Sequence, residues 1–211
     1  MTTVKTKDKL IVALAGFAGS GKDTAAEYLI NNHNFTKLSF AGSLKDAVSV
    51  VFGWDRVLLE GETLESRQWR EQIDPWWSKR LDMPQLTPRW VLQYWGTEVC
   101  RQGFHKDIWV AALENKLNKA EGNIVITDAR FANELDAIKN MNGTLIRIER
   151  GPRPEWYDSA ARFNKGLEGW LPPEGVHASE YSSVGLDYDY YLDNNGTKEE
   201  LFNSLNLIVN L

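Results

Sequence analysis

Residues 10–24 read LIVALAGFAGSGKDT, and the rest of the chain is interpreted outward from them. An apolar β-type run feeds a glycine-rich loop that closes on Gly21-Lys22, and a helix-compatible sequence follows at once. Gly16, four intervening residues, Gly21 and Lys22 give GxxxxGK, the pattern of a phosphate-cradling loop. Glycine permits positive φ and lets the backbone approach a ligand closely. The N–H groups of Gly16, Ala18, Gly19, Ser20 and Gly21, with those opening the next helix, would then face the phosphates of a bound nucleoside triphosphate. Lys22 adds a point charge for the β- and γ-phosphates.

The position straight after the lysine holds Asp23 rather than a hydroxyl, and Thr24 comes next. Such a hydroxyl two places after the lysine is familiar from nucleotide-kinase loops. Thr24 is therefore the candidate phosphate or Mg²⁺-shell ligand. Asp23 either faces a water of that shell or caps the helix start.

With 211 residues, 43% of them hydrophobic and 25% charged, the chain has the composition of one ordinary globular domain. No apolar run reaches the ~18–20 residues of a membrane span. The first ten residues run into a core strand rather than a signal sequence, so the expected location is the cytoplasm, of a host cell if the protein is viral. The single cysteine, Cys100, forms no internal disulfide and is expected as a buried small hydrophobe beside Val99. A net charge of -5 argues against a nucleic-acid partner. All arginines lie between Arg56 and Arg162, which suggests an enclosed polyphosphate ligand, although some must be solvated helix faces.

The pattern alternates strand and helix. Strands are expected near 9–15, at Thr36–Phe40, Asn123–Thr127, Thr144–Glu149 and Tyr190–Leu192. Helices are expected near 22–32, from Ser43 to about Phe52, at Asp107–Lys119 and at Phe131–Asn140. Thr87-Pro88 opens a further, long helix, and Thr197–Glu200 is a capping box opening the last one. Residues 54–86 read as irregular with helical fragments, and 151–186, with Pro152, Pro154, Pro172 and Pro173, as a loop or lid. This order implies an α/β fold, a parallel sheet with helices on both faces, in one domain over 1–211. Ligands of such sheets bind at the carboxyl ends of the strands. Asp128 ends the NIVIT strand there, as a Mg²⁺-orienting carboxylate or as the N-cap of the next helix. Arg130 and Glu134, four apart, would share a helical face and could pair.

Seven stretches then carry a resemblance: GFAGSGKDTAAEYL, FAGSLKDAV, RWVLQYWGTEVCRQGFHKDIWV, VITDARFANELDAI, GTLIRIERG, HASE and NNGTKEELFNSL. In order and spacing they resemble the deoxynucleoside monophosphate kinases of tailed phages, within the P-loop nucleotide-kinase superfamily. They touch nearly the whole chain except 54–86 and 152–176. The resemblance implies a P-loop NTPase-like fold of nucleoside-monophosphate-kinase type, and ATP- and Mg²⁺-dependent conversion of dNMPs to diphosphates. It places Lys22 on the ATP phosphates, Arg89 and Arg130 on the acceptor phosphate, Asp128 and Trp109 beside the mononucleotide, and Arg150 against ATP.

The residues themselves support these roles unevenly. Arg89, Gln93 and Gly96 fall at 0, +4 and +7 of the expected long helix, which suits a ligand groove; a kink at Gly96 is the alternative. Trp109 could stack on a base, yet nine tryptophans cannot all line one site, and Trp76, Trp77, Trp90 and Trp95 read as core or hinge. Lys45 is either an acceptor ligand or a helix-surface lysine. Arg67 and Arg70 could clamp a phosphate, or pair in solvent with Glu65 and Glu71. Arg150 or Arg153 would supply a lid charge, and His177 in HASE reads as structural. Segments 54–86, on the acceptor side, and 151–186 would close over the substrates to exclude water. Two alternatives stay open: a kinase of another phosphomonoester, such as dephospho-CoA or phosphomevalonate, and a nucleotide-binding module without turnover. A homodimer is compatible with the sequence.

Overall fold

The apolar runs become the sheet. IVALA, NIVI and TLIRIE form β1 (Ile11–Ala15), β3 (Asn123–Ile126) and β4 (Thr144–Glu149), flanked by β2 (Phe35–Leu38) and β5 (Tyr190–Asp193). A computed structural model describes residues 9–167, 169–176 and 178–210. All neighbouring strands are parallel, in the order β2-β3-β1-β4-β5. Val12 pairs with Val125 and Leu14 with Ile146, so the central strands are aliphatic where both sheet faces are covered.

Two compact units are present, Met1–Ser39 with Lys116–Leu211, and Phe40–Asn115. The first carries the sheet. Val12, Leu14, Ile146 and Ile148 pack on one face against Ala25, Ala26 and Leu29 of α1 (Lys22–His33). Leu201, Leu205 and Val209 of the last helix, Lys198–Val209, complete that layer. The helix Ala132–Asn140 contacts β1 and β4 and buries Leu135 and Ile138. The capping box expected at Thr197 is formed: Thr197 Oγ1 accepts from the Glu200 N–H, and Glu200 returns a bond to the Thr197 N–H.

The second unit begins with α2 (Gly42–Phe52), followed by α3 (Leu64–Arg70), α4 (Pro75–Leu81) and α5 (Pro88–Tyr94). Its core is aromatic: Phe52 stacks on Trp54 at 4.5 Å and meets Trp77 and Trp95 at 4.8 and 5.3 Å. Thr63 and Asp74 cap α3 and α4, which gives the 54–86 stretch more order than an irregular segment. Two of the tryptophans read as core or hinge are not core: Trp76 is 61% exposed and Trp90 37%.

The long helix expected from Thr87 is not continuous α-helix. After Tyr94 the backbone widens into a π-helix, Trp95–Gln102, with i→i+5 bonds such as Gly103 N–H to Glu98 O at 3.0 Å. Segment 151–186 likewise contains helices, Tyr157–Asn164 and the short Ala178–Tyr181. Tyr157, Ala160 and Val184 form a buried cluster against Phe17 and Trp156. No helix among the described residues is long and apolar enough to cross a membrane.

Candidate active site

The loop between β1 and α1 has the backbone its glycines allow. Gly16, Gly19 and Gly21 take φ of 142°, 78° and 104°. At Gly16 an added Cβ would fall on the Ile148 carbonyl oxygen of β4 and lie 2.6 Å from Ser20 Oγ, so the loop passes too close to the sheet for any side chain. Gly21 is the N-cap of α1, so first-turn N–H groups of a twelve-residue helix open onto the loop. Ser20 and Thr24 are buried and half-buried, while Asp23, Ala18 and Gly19 are exposed. Lys22 folds back and its ammonium donates to the Phe17 carbonyl at 2.8 Å. Burial pushes the Lys22 pKa below its ordinary value; Asp23 opposes this, and Arg130 and Arg147 add to it. The Arg130 and Arg147 charges thus act on the loop lysine.

Asp128 lies half-buried two residues past the end of β3, the strand paired with β1. It is not the cap of the following helix. That place belongs to Phe131. Glu134, 2% exposed, accepts from the Arg130 backbone N–H at 2.8 Å and from that of Phe131 at 3.2 Å. Its carboxylate therefore holds the Arg130 backbone, and Arg130 precedes the helix rather than sharing a helical face with Glu134 as the four-residue spacing suggested. The exposed Arg130 guanidinium donates to Ser179 Oγ at 3.4 Å, within HASE; His177 lies outside the described residues.

In the second unit, Arg89 and Gln93 line an open cleft with Glu71, Ile73, Gln85, Thr87 and Trp90. Arg89 donates to Glu71 at 2.8 Å, both half-exposed. Burial lowers the Arg70 pKa, and the Arg89 and Arg67 charges lower it further against the opposing charges of Glu71 and Glu60. Arg70 Nε is buried without a hydrogen-bond partner, while Arg67 donates to the Gly61 and Glu62 carbonyls at 2.9 and 3.3 Å. Gly96 does not share the cleft. It turns inward, where a Cβ would stand 2.9 Å from Leu44 Cδ2, and its carbonyl accepts the Trp109 indole N–H at 2.9 Å. Side-chain packing therefore explains this glycine, and Trp109, 8% exposed, is a core residue with its N–H already used. Lys45 is bound to Glu60 at 2.5 Å. Cys100 is half-buried, and burial pushes its thiol pKa up, away from reactivity.

Two residues beside the loop escaped the sequence reading. Asn194, just past β5, donates to the Ser20 carbonyl at 2.8 Å and is buried against Gly21. Arg147, in the middle of β4, is 1% exposed; an arginine inside an apolar strand was the available signal. Its neighbour Glu149 accepts from Arg147 Nε at 3.0 Å, from Tyr157 Oη at 3.0 Å and from Arg153 Nη2 at 2.7 Å. Arg150 is exposed.

Burial alone would raise the pKa of Glu149 and Glu60, but hydrogen bonds to Arg153, Arg147 and Tyr157, and to Lys45 and Arg56, outweigh it and hold both below 4.5. A depressed folded pKa stabilises the fold above the unfolded value and loses that contribution as pH falls through the folded one. Thermal melts should therefore be level above pH ~5 and fall steadily towards pH 3. Glu60→Gln should flatten that acid slope, and an unchanged slope in Glu60→Gln would show that its ion pairs contribute nothing.

A parallel sheet with a glycine loop and lysine at the carboxyl end of its central strand defines a P-loop NTPase-like α/β protein. The family model for deoxynucleotide monophosphate kinases matches residues 64–168. A protein of Acanthamoeba polyphaga mimivirus, provisionally assigned as a deoxynucleotide monophosphate kinase, is 32% identical over 93% of this chain and 94% of its own length. The deoxynucleoside-5'-monophosphate kinase of Escherichia phage T5 is 30% identical over 63% of this chain and 73% of its own. The deoxynucleotide monophosphate kinase of Enterobacteria phage T4 is 22% identical over 92% and 96%. The chain belongs to the deoxynucleotide monophosphate kinase family.

Proposed function

We infer that this chain transfers the γ-phosphoryl group of ATP to the phosphate of a deoxynucleoside monophosphate, giving ADP and a deoxynucleoside diphosphate. The observation that carries this is the 32% identity, over 93% of this chain, to a mimivirus protein provisionally assigned as a deoxynucleotide monophosphate kinase. The loop chemistry agrees, because such a reaction needs positioning and charge neutralisation more than covalent catalysis.

In this reading the loop N–H groups from Gly16 to Gly21 and the Lys22 ammonium hold the ATP phosphates. The Phe17 carbonyl takes one of the three Lys22 ammonium donors, which leaves two for phosphate oxygens. Thr24, Asp23 and Asp128 offer a hydroxyl and carboxylates, the hard oxygen donors that Mg²⁺ takes directly or through water. No group of three His, Cys, Asp or Glu that could hold a metal alone occurs among the described residues. When bound, Mg²⁺ would neutralise charge on the β- and γ-phosphates. Arg130, and separately Arg89 with Arg67 and Arg70 in the second unit, would serve the acceptor phosphate, whose oxygens match the planar guanidinium fork. Gln93 lines the cleft with Arg89 and would contact the acceptor. Lys45 would serve the acceptor only by giving up Glu60, and Trp109 only through its ring. Arg150 or Arg153 would complete the ATP side. We read 1–211 as one kinase domain, with 54–86 on the acceptor side and 151–186 as the lid, acting on nucleotides without a nucleic-acid partner.

Incubation with γ-labelled ATP and a dNMP should move the label onto the dNMP. Release of the label only as inorganic phosphate, or no dependence on the dNMP, would contradict the reading.

A further inference from the structure

β4 carries an arginine where the surrounding positions are aliphatic. Leu145, Ile146 and Ile148 are fully buried, and so is Arg147 between them. Burying a guanidinium is costly, and an apolar side chain of similar volume often serves packing as well or better. Its compensation is incomplete. Nε has Glu149, Nη1 reaches the Ser183 carbonyl at a long 3.5 Å, and Nη2 is buried with no hydrogen-bond partner. Glu149 is itself shared with Arg153 and Tyr157. What surrounds the rest of the cation is three aromatic rings, those of Phe17, Tyr157 and Tyr188, with centroids at 5.3, 5.6 and 5.6 Å.

Those rings come from separate segments. Tyr157 opens the helix Tyr157–Asn164, and Tyr188 precedes β5. Phe17 belongs to the phosphate loop, directly after Gly16. Its carbonyl accepts both the Lys22 ammonium, at 2.8 Å, and the Ser20 N–H that closes the loop turn, at 3.1 Å. Phe17 also meets Trp156 and Tyr157 edge-on at 5.8 and 6.1 Å. The guanidinium under this ring is too buried to touch a nucleotide.

We propose that Arg147 is a positioning residue for ATP binding: by holding the Phe17 ring it fixes the loop turn that presents Lys22, and it ties that turn to Tyr157 and Tyr188. This rests on the ATP-loop reading of residues 16–24 and is independent of which acceptor is used. Without the guanidinium, Phe17 loses its anchor and ATP must order the loop as it binds.

The test is separate measurement of KM for ATP and for the acceptor, the calorimetric Kd of a non-hydrolysable ATP analogue, and the melting temperature. Arg147→Met should raise the ATP KM and the analogue Kd about tenfold while the acceptor KM stays within about twofold. Arg147→Lys keeps the charge without the planar fork and should fall between. Phe17→Leu should weaken ATP by about three- to fivefold, and the double variant should be no worse than Arg147→Met alone, since both remove one contact. A purely structural role predicts a lower melting point and less active protein, with the Kd of the folded fraction unchanged; that result overturns the proposal. If Arg147→Met does not fold, wild-type analogue affinity in both Arg147→Lys and Phe17→Leu overturns it equally. Absent dNMP turnover by the unaltered protein, with normal analogue binding, would instead defeat the acceptor assignment alone.

Discussion

Lys22→Ala is expected to lower kcat/KM for phosphoryl transfer by about 10²–10³-fold, the scale of losing one preorganised charge donor. Its fold should persist. The Lys22 ammonium makes one hydrogen bond to protein, at the Phe17 carbonyl, and burial with the Arg130 and Arg147 charges disfavours its protonated form. A lysine whose folded pKa lies below its unfolded value costs stability while it is protonated. Alanine removes that cost, so the melting temperature should hold or rise at neutral pH. Activity and stability then move in opposite directions, which separates this variant from simple misfolding. Turnover within about tenfold of the unaltered protein would remove Lys22 from the transfer machinery.

Gly16→Ala should act in the reverse sense, through the fold. Two costs coincide there: φ of 142°, which L side chains rarely adopt, and a Cβ falling on the Ile148 carbonyl, a backbone group fixed in β4. Strained backbone positions cost of order 1–3 kcal/mol each, so a total near 3 kcal/mol is expected. For a chain of this size that is a fall in melting temperature of roughly 6–12 °C. ATP affinity should fall as well, because relief of the clash requires the loop to leave the sheet. Gly19, at φ 78° with open space around it, is the internal comparison: the same substitution there meets only the backbone term. Equal melting points for the two variants would show that the loop does not press on Ile148 as described.

The sheet and the loop were legible because their chemistry leaves few alternatives. IVALA and NIVI have nowhere to go but a doubly covered sheet, and GFAGSGK suits only a turn with positive φ. The caps at Thr87 and Thr197 were equally plain. The π-helix was not, since α- and π-turns draw on the same residues. Helices α3 and α4 span seven residues each, too short to display a helical period. Spacing placed Arg130 and Glu134 together correctly, but not the atom involved, because the carboxylate found backbone N–H groups at a helix start. Trp109 shows the same limit: an indole suited to stacking on a base is equally suited to a core. Arg147 and Asn194 act on the loop from β4 and from beyond β5, and only the folded register brings them there.

The most direct test of the account is an acceptor panel: ADP formation from ATP measured with each dNMP, the corresponding ribonucleotides, dephospho-CoA and phosphomevalonate. The account predicts turnover with one or more dNMPs, with the label of γ-labelled ATP recovered in the diphosphate, and loss of that turnover in Lys22→Ala. ADP formation only with a non-nucleotide phosphomonoester, or none with any acceptor despite ATP binding, would contradict it.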